Sequence, residues 1–114
     1  MDKNIIVVTR IKGEKDCVIP LIEGYLDNSG ISVKVGRVSE NRNLDGDSVY
    51  TLVELTLGFT SGVIGGVVAN RIYDALKNVG ADKLSINHAK TSVDLDEIKK
   101  ALREVLEERS VDNE

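Results

Sequence analysis

Ile5, Ile6, Val7, Val8, Thr9, Arg10 and Ile11 form a β-branched run that is apolar at odd and even positions alike near its start. Successive side chains of a strand point to opposite faces, so this pattern predicts a central strand with little solvent exposure. The remaining core must be built around it from a narrow palette. Hydrophobic residues make up 41% of the 114, yet aromatics only 4%, with no Trp, one Phe and three Tyr. Val, Ile and Leu therefore carry the packing. The length suits one domain rather than two, and 30% charged residues argue against disorder or a fibrous class.

Periodicity then alternates between helix and strand. After a turn at Lys12, Gly13, Glu14 and Lys15, Asp16 is the expected N-cap of a helix with an apolar stripe of Val18, Leu21, Ile22, Tyr25 and Leu26. Pro20 implies an irregular first turn or a start near Pro20 itself, and Asn28, Ser29 and Gly30 end the helix. Ile31, Val33 and Val35 alternate with polar residues as a one-sided strand, residues 39–48 read as a long exposed loop, and residues 50–57 return as a strand. On that strand Val49, Thr51, Val53, Leu55 and Leu57 share one face, and Tyr50, Leu52, Glu54 and Thr56 the other. Thr60 or Ser61 is expected to cap a second helix with Ile64, Val68, Ile72, Ala75, Leu76 and Val79 on its apolar face, closed by Gly80. Residues 83–87 and 91–93 read as short strands around a tight turn at His88, Ala89 and Lys90. Asp94 with Glu97 three residues on makes a capping-box pattern for a last helix striped by Leu95, Ile98, Leu102, Val105 and Leu106. The expected fold is α+β: a ferredoxin-like β-α-β-β-α-β sheet with helices on one face, plus a C-terminal hairpin strand and helix. Residues 1–109 form the expected single domain and 110–114 a flexible tail.

Lys and Arg total 15 against 19 Asp and Glu, a net charge of -4, which places general nucleic-acid binding at a disadvantage. One Cys and one His cannot assemble the usual structural zinc sets or an internal disulfide, so no metal and no cofactor is expected and Cys17 reads as a small hydrophobe. The N-terminus lacks signal-peptide features, and the apolar stretch 57–69 falls short of the ~20 residues that span a bilayer. A cytoplasmic protein without a membrane partner is expected.

The segment 57–70 is unusual because Gly62, Gly65 and Gly66 sit where a helix is expected, and each Gly costs about 1 kcal/mol relative to Ala there. Gly62 and Gly66 fall one turn apart, as do Gly65 and Ala69, giving two rows of small side chains that admit a close neighbour. Four readings stay open: packing on the chain's own sheet, a contact surface for a partner or a second copy, an anion site at the helix N-terminus, and membrane insertion. Neither G-x-G-x-x-G nor the Walker pattern is present, which weakens the anion reading. His88 reads as an exposed turn residue, and Asp45, Gly46 and Asp47 as turn chemistry without the ligand set of a calcium loop. Lys34, Arg37 and Arg42 could make a local basic patch, diluted by Glu40 and Asp45 and lacking an aromatic platform for bases. No catalytic constellation is present, so an enzyme is not expected.

Residues 5–35, with a β-branched strand, the Gly13 turn, a helix ending at Asn28, Ser29 and Gly30, and a second strand, resemble the opening of an ACT-type regulatory domain. That resemblance implies a small ligand such as an amino acid near Gly13 to Cys17, with Gly13 and Asp16 as the ligand turn. The glycine-rich helix and the added hairpin and helix depart from it. Residues 53–93 resemble the small effector-associated constant-component domains of prokaryotic conflict systems, through Leu57 and Gly58, the small-residue run 62–69, Ile72 and Leu76, then Leu84, Ser85, Ile86 and Lys90, Thr91, Ser92, Val93. Such domains are thought to be non-enzymatic couplers of sensor and effector components. The leading expectation is a non-enzymatic protein-interaction module that pairs with a protein partner or with itself. Its contact surface is either the helix bearing Gly62, Gly65, Gly66 and Ala69 or an exposed sheet edge. The alternative is the ACT-like regulatory domain that binds a small ligand.

Overall fold

A computed structural model describes residues 3–27, 31–42, 48–59 and 65–112, with side chains described over 4–27, 31–42, 48–59 and 67–104. Over these residues the chain is an α+β fold with one antiparallel sheet and three helices. Strand β1 (Lys3–Lys12) leads to helix α1 (Lys15–Leu26), then β2 (Ile31–Arg42), β3 (Val49–Phe59), α2 (Gly65–Val79), β4 (Ala81–Ile86), β5 (Ala89–Thr91) and α3 (Leu95–Asp112). The sheet runs β2-β3-β1-β4-β5, with every neighbouring pair antiparallel. The β-branched run at 5–11 is thus an interior strand, flanked by β3 and β4.

Register sorts the sheet into two faces. Ile5 lies opposite Leu57, Val7 opposite Leu55 and Ile86, and Thr9 opposite Val53 and Leu84. These residues are all buried, together with Val18, Ile22 and Leu26 of α1, Val68, Ala69, Ile72, Ala75 and Leu76 of α2, and Ile98 and Leu102 of α3. The helices therefore share one face of the sheet. Among the described residues two polar side chains enter this core, and each has a partner: the Thr9 hydroxyl donates to the Lys83 carbonyl at 2.7 Å and the Thr51 hydroxyl to the Gly13 carbonyl at 2.8 Å. Satisfying the hydroxyl removes the penalty of burying it.

Several local expectations are corrected. Helix α1 starts at Lys15 with Glu14 as its N-cap, because the Glu14 carbonyl already accepts from Cys17 and Val18 N–H; Asp16 lies in the first turn and is not the cap. Pro20 sits inside this helix on its exposed side rather than at its start. The buried row is Val18, Ile22 and Leu26, spaced four apart, which turns Leu21, Tyr25 and Cys17 outward. Cys17 is therefore exposed and does not serve as a core hydrophobe. Strand β2 continues through residues 39–42, where the polar sequence predicts loop, because Ser39, Glu40, Asn41 and Arg42 pair with Leu52, Thr51, Tyr50 and Val49. The tight turn between β4 and β5 is Asn87 and His88, with φ of 51° and 71°, so Ala89 and Lys90 are strand residues. Both angles are left-handed, as a two-residue hairpin turn of the primed type requires. Asn87 adds to the sheet: its N–H donates to the Ile6 carbonyl and its side-chain oxygen accepts from Ile6 N–H, each at 2.8 Å.

Asp94 caps α3 as its sequence implies, accepting from the Glu97 N–H at 3.3 Å. That helix extends to Asp112, into the segment read as tail. Gly80 closes α2 at φ 71°. The expected cap at Thr60 or Ser61, the helix positions Gly62 and Ile64, the terminator Asn28 to Gly30, the Asp45 to Asp47 turn, and the side chains of Val105 and Leu106 lie outside the described residues.

Candidate functional site

The turn from β1 into α1 is held by the chain itself. Gly13 N–H donates to the Val49 carbonyl at 2.7 Å, and its own carbonyl accepts from Thr51, so both backbone groups are engaged by β3. The Lys15 N–H, one of the free donors at the start of α1, is taken by the Glu40 carboxylate of β2 at 2.9 Å. Gly13 has φ +132°, and a Cβ there would fall 2.7 Å from Val18 Cγ1. Its glycine is explained by backbone conformation and close packing on α1. Asp16 is exposed beside this turn, in the first turn of α1. Sequence reading places Gly13 and Asp16 near each other, but it misses Glu40, which arrives from a different strand.

On the glycine-rich helix, Gly65 and Gly66 form the first residues of α2. Ala69, one turn after Gly65, is fully buried with Val68 and Ile72 in the chain's own core, so it is not part of an exposed contact surface. Val67, between the glycines and Ala69, is 54% exposed. The described end of the small-residue segment therefore packs inward with one valine outward. Gly62 lies outside the described residues. His88 is exposed in its turn, and no group of three or more His, Cys, Asp or Glu among the described residues is placed to hold a metal ion.

The opposite face of the sheet carries exposed side chains of its own. Leu52 of β3 is 41% exposed, and Val8 of β1 is half-buried beside it. Two shallow depressions meet at this pair. One, of about 440 Å³, runs over β4 and β5 past Lys83, Ser85 and Lys90; the other, of about 460 Å³, runs toward β2 past Arg37, Ser39 and Glu54. Arg10 projects onto the same face, donates to both Asp82 carboxylate oxygens at 3.0 and 2.5 Å, and lays its guanidinium 4.7 Å from the centre of the Tyr50 ring. The bidentate hydrogen bond from Arg10 holds the Asp82 carboxyl below its ordinary value, and the same bond raises the Arg10 guanidinium.

The edges of the sheet differ. β5 is three residues long, whereas β2 offers twelve residues with no strand beyond it among the described residues. A register shift between Val35 and Val38 inserts an extra residue opposite Glu54, a β-bulge at Gly36 and Arg37. A Cβ on Gly36 would sit 2.8 Å from Glu54 Oε1 and 3.4 Å from its carbonyl oxygen, so glycine lets the carboxylate lie across the bulge. Bulges are not signalled by alternation alone. The β2 alternation at Ile31, Val33 and Val35 is readable, and the change of phase at Val38 is the signal that could have located the bulge.

No family model matches this chain, and no curated protein matches it. Among solved structures it is similar to a dinuclear metal-binding peptidase of the M20 family from Bacillus subtilis, at 14% identity and a TM-score of 0.45, over 81% of this chain and 28% of that one. It is also similar to the aminopeptidase PepT from Bacillus cereus, at 11% identity and a TM-score of 0.47, over 75% of this chain and 29% of that one. The chain thus spans less than a third of the length of either neighbour. Among the described residues no helix is long and apolar enough to cross a membrane.

Proposed function

We propose that this chain is a small, non-enzymatic, cytoplasmic interaction module of ferredoxin-like fold that self-associates through the edge strand β2. The strand order β2-β3-β1-β4, antiparallel throughout, supports the ferredoxin-like assignment, with β5 and α3 as an appendage. The observation that carries the functional reading is the long open edge of β2, which contrasts with the three residues of β5 at the other end. An unpaired strand presents a row of N–H and C=O groups that a second strand can take up, adding main-chain hydrogen bonds.

The side chains of β2 narrow the possible register. The bulge and its Arg37 interrupt the edge, leaving residues 31–35 as one straight run. An antiparallel two-fold centred on Val33 sets Ile31 opposite Val35 and Ser32 opposite Lys34 of the second copy. Like charges then avoid each other, and the apolar side chains form one row across the junction. Val33 and Val35 are only half-buried in the single chain, so such pairing would cover them further.

Light scattering tests this. Wild type is expected to have the mass of two chains, and Val33→Lys, which brings two ammonium groups together on the two-fold, the mass of one with unchanged circular dichroism. A wild type that stays a single chain at high concentration, or a folded Val33→Lys that still pairs, overturns the reading.

A further inference from the structure

We infer that the face of the sheet opposite the described helices seats an acidic segment of a partner protein carrying aliphatic side chains. The inference rests on the reading of the chain as an interaction module, but not on pairing through β2. Strand register places Arg10, Lys12, Lys34, Lys83 and Lys90 on this face, and Arg37 in the bulge lines the depression toward β2, against the carboxylates of Glu54 and Asp82. The whole chain carries a net charge of -4, so this is a local reversal of sign. Asp82 is already committed to Arg10. Lys34, Arg37, Lys83 and Lys90 make no ion pair among the described residues and are all exposed.

These cations surround an aliphatic centre. Val8 and Leu52 are shared by the two depressions, with Arg37 at the β2 end and Lys83 and Lys90 at the β4 and β5 end. From β2 to β5 is four strand spacings, about 19 Å, enough for a short peptide segment. A ligand matching this layout has leucine-like side chains at its middle and carboxylates toward both ends. Charge complementarity of this sort steers association and fixes orientation, while the apolar centre supplies burial.

Two other occupants fit less well. A second copy laid face to face would bring the same cations against one another. A nucleic acid would gain the charges but lack a stacking platform, because the centre is aliphatic and Tyr50, the aromatic on this face, is covered by the Arg10 guanidinium.

The probe is a blocked synthetic peptide of alternating glutamate and leucine pairs, with an all-glutamate peptide, a lysine–leucine peptide and a single-stranded oligonucleotide as comparisons. Binding is read by amide chemical shifts of the full chain. The glutamate–leucine peptide is expected to shift Val8 and Leu52 and to bind at least about tenfold more tightly than the others, with affinity falling as salt is raised. The double variant Arg37→Glu with Lys83→Glu, and separately Leu52→Asp, are each expected to weaken it by about tenfold or more while leaving the fold intact. The inference is overturned by absence of binding, by binding that neither variant changes, by shifts confined to other surfaces, or by preference for the oligonucleotide. Val33→Lys separates the two readings. If it is a single chain that still binds the peptide, both stand; a wild type that never pairs but binds the peptide removes only the edge reading.

Discussion

Leu55 and Leu52 stand three residues apart on β3 and meet opposite environments: Leu55 is fully buried beneath the helices, and Leu52 is 41% exposed on the other side. Around Leu55 the side chains are aliphatic, and the two buried hydroxyls, on Thr9 and Thr51, are both bonded. Around Leu52 the neighbours are Arg37, Glu54, Lys83 and the Arg10–Asp82 pair. One sheet thus separates the two tasks by strand parity: the odd residues of β1 and β3 hold the fold together, and the even ones are free to meet something else. Stability should therefore respond strongly to one parity and weakly to the other.

The largest expected effect is on the covered side. Leu55→Ala or Ile72→Ala should each lower unfolding free energy by about 2–5 kcal/mol in urea titrations, through lost burial and the cavity left behind. Leu52→Ala should change it by no more than about 0.5 kcal/mol. A Leu52 loss as large as that of Leu55 would break the comparison. Next is Gly13→Ala, where the +132° φ and the 2.7 Å approach to Val18 should cost about 1–3 kcal/mol by the same measurement. Gly24→Ala should have the opposite sign. Gly24 lies within α1, is exposed, and its added Cβ would meet nothing within 4 Å, so a gain of up to about 1 kcal/mol in thermal or urea unfolding is expected.

The smallest effect belongs to Arg10 and Asp82 on the open side. Because pairing lowers the Asp82 pKa from its ordinary 3.8, the stability it adds is present above that value and is lost as pH falls through the lowered one. Asp82→Asn should therefore lie slightly below wild type near neutral pH and converge with it in strong acid, with the gap narrowing in salt because both side chains are solvent-exposed.

Much of this division was legible in the alternation of β3, where both faces could be assigned residue by residue, and in the capping by Asp94. The helix stripes were less so. Leu21 and Tyr25 fit the α1 pattern as well as Ile22 does, and only the position of the sheet beneath the helix selects the row Val18, Ile22 and Leu26. Non-local contacts were invisible for a similar reason. Glu40 engages the start of α1 across 25 residues of sequence, and Thr51 engages Gly13 across 38. Neither pairing leaves a local pattern. The glycine-rich segment drew attention to a helix surface, yet Ala69 points into the core, and of residues 67–69 Val67 alone faces outward.

The open edge is best tested by residue-resolved amide hydrogen exchange of β2 in the full chain as its concentration is raised. Neighbouring N–H groups of a strand alternate in direction, so edge pairing centred on Val33 predicts that alternate amides within residues 31–35 slow with concentration, while β5 amides keep their rates. If every β2 amide exchanges at the same rate at all concentrations, the strand is not an interface between copies of this chain.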